Sequence, residues 1–133
     1  MLQRTMKKAL FIAVLLNHVF SLSSAFLRPF TSISDILHDM NTHKTGCGNV
    51  VFFQSQACRS CTAVRPHLVK TAETDEKRNY YLLYIDGNKD NLQYAYKHYI
   101  KTIPADLLLN NDETEEVYSC PPSKFDILRK RLI

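Results

Sequence analysis

The feature that most constrains this chain is a pair of cysteines, Cys58 and Cys61, placed shortly after the apolar run Val50–Phe53. The run predicts a buried strand over residues 49–54, and residues 58–74 carry apolar side chains at helical spacing. The first cysteine therefore lies near the free N–H groups of a helix's first turn, where the helix dipole favours a thiolate. The second cysteine lies one turn further on and can attack a mixed disulfide that the first one forms. The motif predicts a redox-active dithiol.

The remaining sequence predicts one small α/β domain. Helices are predicted over residues 31–44, 58–74 and 90–100 and after the prolines at 121–122, and strands over residues 49–54, 80–86, 105–109 and 115–119. A strand–helix–strand unit pairs its strands in parallel and a hairpin adds antiparallel strands, so we expect a mixed sheet with helices on both faces. On the third helix, the expected inner face comprises Leu92, Ala95, Tyr96 and Tyr99.

Residues 1–25 are predicted to be a cleaved signal peptide, because a short basic segment precedes an apolar stretch and small residues at 23–25. The apolar stretch, about a dozen residues long, is too short to span a bilayer. We therefore expect entry into the secretory pathway and no stable membrane insertion after cleavage. Residues 26–31 are expected to form a short leader or linker, and residues 32–133 the folded domain.

Phe26 directly follows the expected cleavage site, and the next residues to Ser34 include Arg28 and hydroxyl groups but no acid. This arrangement resembles the bipartite leaders that route proteins to complex plastids. A plastid is therefore the alternative destination to secretion or retention in the endomembrane lumen.

The expected mature chain is almost neutral. Removing residues 1–25 leaves 14 basic and 13 acidic residues, so the net charge falls from +4 to +1. Since no basic stripe with interleaved aromatic residues remains, nucleic-acid binding is not expected. The three glycines form no phosphate-cradling pattern, which argues against nucleotide binding.

Further features follow the cysteine pair: Pro66 lies five residues after the second cysteine, a strand ends at Ile85-Asp86, and Ile103-Pro104 stands ahead of a closing hairpin. Together with the buried strand before Cys-x-x-Cys, these features resemble the thioredoxin family over residues 32–133. The resemblance implies a thioredoxin-like three-layer fold and a protein-disulfide oxidoreductase with no cofactor.

The resemblance also implies roles for particular residues. Cys58 would be the attacking nucleophile and Cys61 the resolving thiol, joined as a disulfide in the oxidised form. A cis-proline at Pro104 would lie against this pair and, with Ile103, bind an extended substrate segment. The expected partners are proteins with thiols or disulfides and an unidentified reductase or oxidase, and the chain is expected to be a monomer. The alternative is a thioredoxin-fold binding or redox-sensing module with little turnover.

Several departures from the family pattern favour that alternative. Ala57 stands where the family has an aromatic residue, and Phe52 replaces a buried acid that deprotonates the resolving cysteine. The usual basic neighbour of that acid corresponds to Leu82. Asp106, just after Pro104, could supply a substitute base, although we expect an exposed carboxylate at the strand end instead.

The residues around the pair allow further expectations. Arg59 is expected to add positive potential beside Cys58 and so make the couple more oxidising, unless its side chain points into water and has little effect. Cys120 is expected at the same rim as the pair, either as an accessory thiol or as an inert residue. Cys47 lies too far along its strand to pair with Cys58, and a Cys47–Cys120 disulfide is not expected. With one close cysteine pair, no metal site is expected.

Overall fold

The computed structural model describes residues 26–119, which contain five strands and three helices. The strands are β1 (Leu27–Phe30), β2 (Gly48–Gln54), β3 (Arg78–Tyr84), β4 (Ala105–Asn110) and β5 (Glu115–Ser119), and the helices are α1 (Ile33–Thr42), α2 (Arg59–Thr74) and α3 (Lys89–Lys97). The predicted signal peptide, the predicted last helix and Cys120 lie outside the described residues. Between residues 26 and 119, no helix is long and apolar enough to cross a membrane.

The strands form one mixed sheet in the order β1-β3-β2-β4-β5. β3 pairs in parallel with both β1 and β2, while β4 runs antiparallel to β2 and β5. The carboxyl ends of β2 and β3 therefore meet at the edge of the sheet where β4 begins. This arrangement confirms the predicted mixed sheet and places the segment after β2 at that edge.

The apolar run of β2 forms the centre of a three-layer structure. Because side chains alternate along a strand, Val50 and Phe52 pack under α2, whereas Val51 and Phe53 pack under α1 and α3. All four are fully buried, and each contributes about 1.5–3 kcal/mol relative to an exposed side chain. The unbroken apolar run thus reflects burial on both faces of the sheet.

The structure corrects the linker predicted over residues 26–31. Leu27–Phe30 form an edge strand that pairs in register with Tyr80–Leu83 of β3. Leu27 is buried, and the guanidinium of Arg28 donates hydrogen bonds to the Asp39 carboxylate. A strand of four residues is too short for alternation to identify it, and a proline within it is tolerated only at a sheet edge.

The predicted inner face of α3 is wrong except at Ala95. Leu92, Tyr96 and Tyr99 are exposed, and the buried helix residues are Asn91 and Ala95. The Asn91 amide oxygen accepts the backbone N–H of Ile33 at 2.8 Å, and its Nδ2 donates to two backbone carbonyls. A polar residue therefore occupies the inner face because it satisfies backbone groups at the start of α1, which hydrophobic periodicity does not detect.

Tyr99 follows the C-cap residue of α3 and lies in the left-handed backbone region, with φ at 62°. Its N–H donates to the Tyr96 carbonyl and the N–H of Ile100 donates to the Ala95 carbonyl, which is the Schellman arrangement. That position favours glycine because a Cβ atom is unfavourable at positive φ. The Tyr99 side chain is 79% exposed, so little packing offsets the unfavourable backbone conformation.

We expect Tyr99→Gly to raise the free energy of unfolding by about 1 kcal/mol, because glycine relieves the unfavourable φ. Urea denaturation of the purified protein measures this change. Tyr96→Gly is the matched control, since it places glycine inside the helix and should lower stability by about 0.5–1 kcal/mol. A loss of stability in both variants would contradict the expected effect at Tyr99.

Candidate active site

The loop that leads from β2 to the cysteines is held by Asp86, just after the end of β3. The hydroxyl of Ser55 and the backbone N–H of Gln56 both donate to the Asp86 carboxylate, the latter at 2.7 Å. These hydrogen bonds lower the pKa of Asp86 below its usual value. The N–H of Cys58 donates in turn to the Ser55 carbonyl at 3.2 Å, which sets where α2 begins.

Cys58 is the N-cap residue of α2. Its backbone is extended, with φ −85° and ψ 104°, and its sulfur accepts the backbone N–H of Cys61 at 3.1 Å. Cys58 is half-buried, whereas Cys61 is fully buried on the inner face of α2 with Val64. The two sulfurs therefore differ in access to solvent, and only the first lies at the helix N-terminus.

Cys58 and Cys61 form a disulfide with their Cα atoms 5.2 Å apart. Two electrons and two protons convert this disulfide to a dithiol. In the dithiol, the N–H group that now faces the Cys58 sulfur would stabilise a thiolate there, together with the positive end of the helix dipole. The arrangement can therefore alternate between an oxidised and a reduced form at this edge of the sheet.

Ile103 and Pro104 directly precede β4, at the end of the sheet where β2 leads into the cysteine loop. The peptide bond between them is cis, as the resemblance to the thioredoxin family implies. Pro104 is buried. Ile103 is half-buried and packs against the core cluster that contains Cys61, and Cys58 packs against the same cluster. The structure thus brings both residues to the end of the sheet that carries the cysteine pair.

The structure corrects the expectation that Asp106 is an exposed carboxylate at a strand end. Asp106 is fully buried, opposite Phe52 on β2 and Tyr118 on β5. Side chains directly opposite each other share a face of the sheet, so Asp106 lies on the α2 face, where Phe52 and Cys61 pack. An acidic group is therefore present on the cysteine side of the sheet, on β4 instead of β2.

Arg59 and Cys47, the other predicted residues that the structure describes, lie outside the buried cluster around Cys61. The Arg59 side chain is exposed and has no hydrogen-bond or ion-pair partner within residues 26–119. Cys47 is a half-buried free thiol that precedes β2, at the opposite end of that strand from Cys58. In residues 26–119, no three His, Cys, Asp or Glu side chains come together in a group that could hold a metal ion.

One polar pair near the cysteines was not singled out from the sequence. Gln54, the last residue of β2, is fully buried, and its Oε1 accepts two hydrogen bonds from the Arg65 guanidinium. Alternation along β2 places Gln54 on the same face as Val50 and Phe52. A polar residue in phase with the inner face of a buried strand is the signal that could have identified it.

Several solved structures with a similar arrangement of elements are thioredoxins. The chain is similar to thioredoxin from Fasciola hepatica, with TM-score 0.64 and 20% identity over 80% of this chain and 100% of that chain. Thioredoxin from Trypanosoma brucei brucei gives TM-score 0.64 and 14% identity over 80% and 87% of the two chains. For Trichomonas vaginalis thioredoxin, the TM-score is 0.61 and the identity 14%, over 81% and 98%.

The chain has the thioredoxin fold. The expected fold is therefore confirmed, and the Cys58–Cys61 disulfide fits a Cys-x-x-Cys active site on that fold. No protein-family model and no curated protein sequence matches the chain. Because one fold supports many activities, function has to be argued from the thioredoxin-fold site itself.

Proposed function

We propose that the protein is a thiol–disulfide oxidoreductase that acts on protein substrates through the Cys58–Cys61 couple. The observation that carries this proposal is the unequal exposure of the two sulfurs. Cys58 is half-buried at the N-cap of α2, and Cys61 is fully buried behind it. A nucleophilic thiolate has to reach a substrate, whereas a resolving thiol has to reach only the first sulfur.

The reaction proceeds in two exchanges. The Cys58 thiolate attacks one sulfur of a substrate disulfide, a mixed disulfide forms, and the other substrate sulfur leaves as a thiolate. Cys61, once deprotonated, then attacks the Cys58 sulfur. The Cys58–Cys61 bond forms, the mixed disulfide breaks, and the second substrate thiolate leaves. The substrate gains two electrons that the dithiol loses, and the reverse sequence oxidises a substrate dithiol.

In this proposal, three further residues support the exchange. Asp106 accepts the proton of Cys61, since its carboxylate lies on the same face of the sheet. Ile103 and Pro104 hold an extended substrate segment beside Cys58, because they lie at the same end of the sheet. Arg59 is not one of the three, because its exposed charge is screened by solvent and should have little effect on the couple.

The compartment sets the direction of electron flow, and the proposed compartment is the secretory pathway, with a complex plastid as the alternative. An oxidising lumen favours oxidation or isomerisation of substrates, and a plastid with an electron supply favours reduction. The recycling partner is accordingly a thiol oxidase in the first case and a disulfide reductase in the second.

The test is to express Cys61→Ser in the native compartment and look for covalent partners. We expect mixed disulfides to accumulate through Cys58, because the second exchange can no longer release them. Non-reducing gels followed by mass spectrometry identify the trapped proteins, which a reductant should release.

The Cys58→Ser, Cys61→Ser double variant is the matched control, because it has the same fold and cannot form the adduct. If Cys61→Ser traps no partner, the result contradicts the proposed oxidoreductase activity and favours a binding module with little turnover. Equal trapping by both variants would place the reactive thiol at Cys47 or Cys120.

A further inference from the structure

The Gln54–Arg65 pair fixes a positive charge on α2, the helix that carries the buried cysteine. The Nε and Nη2 atoms of Arg65 donate to the Gln54 Oε1 atom at 3.2 and 2.6 Å. Gln54 is fully buried and Arg65 is half-buried. Two hydrogen bonds to one oxygen restrict the guanidinium to a single region, unlike the exposed side chain of Arg59.

The position of Arg65 relative to Cys61 follows from the geometry of α2. The residues are four apart, so they lie on one side of the helix with Cβ atoms about 6 Å apart. Helical side chains lean toward the N-terminus, which directs Arg65 back toward Cys61. Its partner Gln54 lies at the end of β2 that leads into the cysteine loop. The guanidinium therefore lies on the same side of the helix as the buried sulfur.

We propose that Arg65, held by Gln54, is a positioning residue whose positive charge stabilises the thiolate with which Cys61 resolves a mixed disulfide. The inference rests on the proposed oxidoreductase function and concerns its second exchange. Burial disfavours a thiolate because it removes water from the charged sulfur. A half-buried cation is screened less by solvent and salt than an exposed one, so Arg65 should matter more than Arg59.

The step that Arg65 assists is the attack of the Cys61 thiolate on the Cys58 sulfur. The Cys58–Cys61 bond forms, the bond between Cys58 and the bound thiol breaks, and its electron pair leaves with that thiol. Other ionisable groups also lie on the α2 face of the sheet and contribute to the field at Cys61. They are Arg78, Tyr80 and Tyr84 on β3, Asp106 on β4, and Glu116 and Tyr118 on β5.

Removing the charge should change the rate of resolution in a pH-dependent way. In Arg65→Gln, the pKa of Cys61 rises, so the thiolate fraction at neutral pH falls about tenfold for each unit of the rise. For each pKa unit, a more basic thiolate is also about threefold more nucleophilic. The net effect at neutral pH is therefore a slowing of about threefold for each unit by which the pKa rises. Above both pKa values, the variant should become about threefold faster than the wild type.

The experiment uses the full chain with Cys47 and Cys120 replaced by serine, so that only the active-site pair reacts. The reduced protein is mixed with the aromatic disulfide dithiobis(nitrobenzoate) at a series of pH values. Attack by Cys58 releases one coloured thiolate, and resolution by Cys61 releases a second, so the two rates separate in stopped-flow absorbance. We expect the inflection of the second rate to move to higher pH in Arg65→Gln and the two profiles to cross.

Arg59→Gln and Arg65→Lys are the matched variants. The first removes an exposed charge and should leave the inflection close to the wild type. The second keeps the charge and should restore most of the profile, which a purely structural role would not predict. The inference is overturned if Arg65→Gln resolves with the wild-type profile, or if Arg59→Gln shifts the profile equally. Absence of the first release in the parent protein would instead contradict the proposed oxidoreductase.

Discussion

Cys58→Ser is expected to reduce thiol–disulfide exchange by more than about a thousandfold. A serine hydroxyl stays protonated near neutrality and forms no disulfide. The other thiol of the pair cannot substitute, because Cys61 is fully buried on the inner face of α2. Two assays measure the loss in both directions: reduction of a disulfide-bonded protein by excess dithiol, and oxidation of a peptide dithiol in a glutathione buffer.

Cys47→Ser is the matched control for this prediction. Cys47 is half-buried and precedes β2, a strand of seven residues that separates it from the cysteine loop. The control should therefore retain activity to within about twofold of the wild type. Substantial turnover by Cys58→Ser would show that the exchange occurs at Cys47 or Cys120.

The elements that present the cysteines could be predicted because their signals are local. The run from Val50 to Phe53 is apolar without interruption, and buried Cys61, Val64 and Leu68 recur at helical spacing along α2. Each signal depends on residues close in sequence, so no knowledge of the tertiary structure is required. The position of Cys58 at the junction of strand and helix follows directly from these two local signals.

The two errors in the fold arise from long-range contacts. Leu27–Phe30 become a strand because they pair with β3, about fifty residues later in the sequence. Asn91 is buried because its amide satisfies the backbone at Ile33 and Thr31, which turns Leu92 and Tyr96 outward. In both cases a distant segment decides the outcome, and propensity and periodicity contain no information about it.

The same reason explains what the sequence did not show about the site. Asp106 is the second residue of β4, but its burial depends on the antiparallel register that places it opposite Phe52. The Gln54–Arg65 pair joins the end of β2 to α2 through side chains eleven residues apart. The sequence thus predicts where the thiols are, whereas tertiary contacts determine the charges that surround them.

Gly48→Ala is expected to lower the free energy of unfolding by about 3–5 kcal/mol. Gly48 begins β2 with φ at 117°, a conformation that residues with a Cβ atom rarely adopt. An added Cβ would also collide with the backbone carbonyl oxygen of Leu109 on β4. Because a backbone atom within a paired sheet cannot move aside, both the strain and the collision have to be absorbed by the central strand.

The two other glycines provide a graded control. Gly87 has φ at 63° with no atom near an added Cβ, so Gly87→Ala should lose only about 1 kcal/mol. Gly46 has open space around it, and Gly46→Ala should change stability by less than about 0.5 kcal/mol. Urea denaturation measures the free energy of unfolding of the three variants. Equal losses of stability would contradict the collision at Leu109. Since Gly48 lies at the far end of β2 from the cysteines, the folded fraction of Gly48→Ala should exchange disulfides at the wild-type rate.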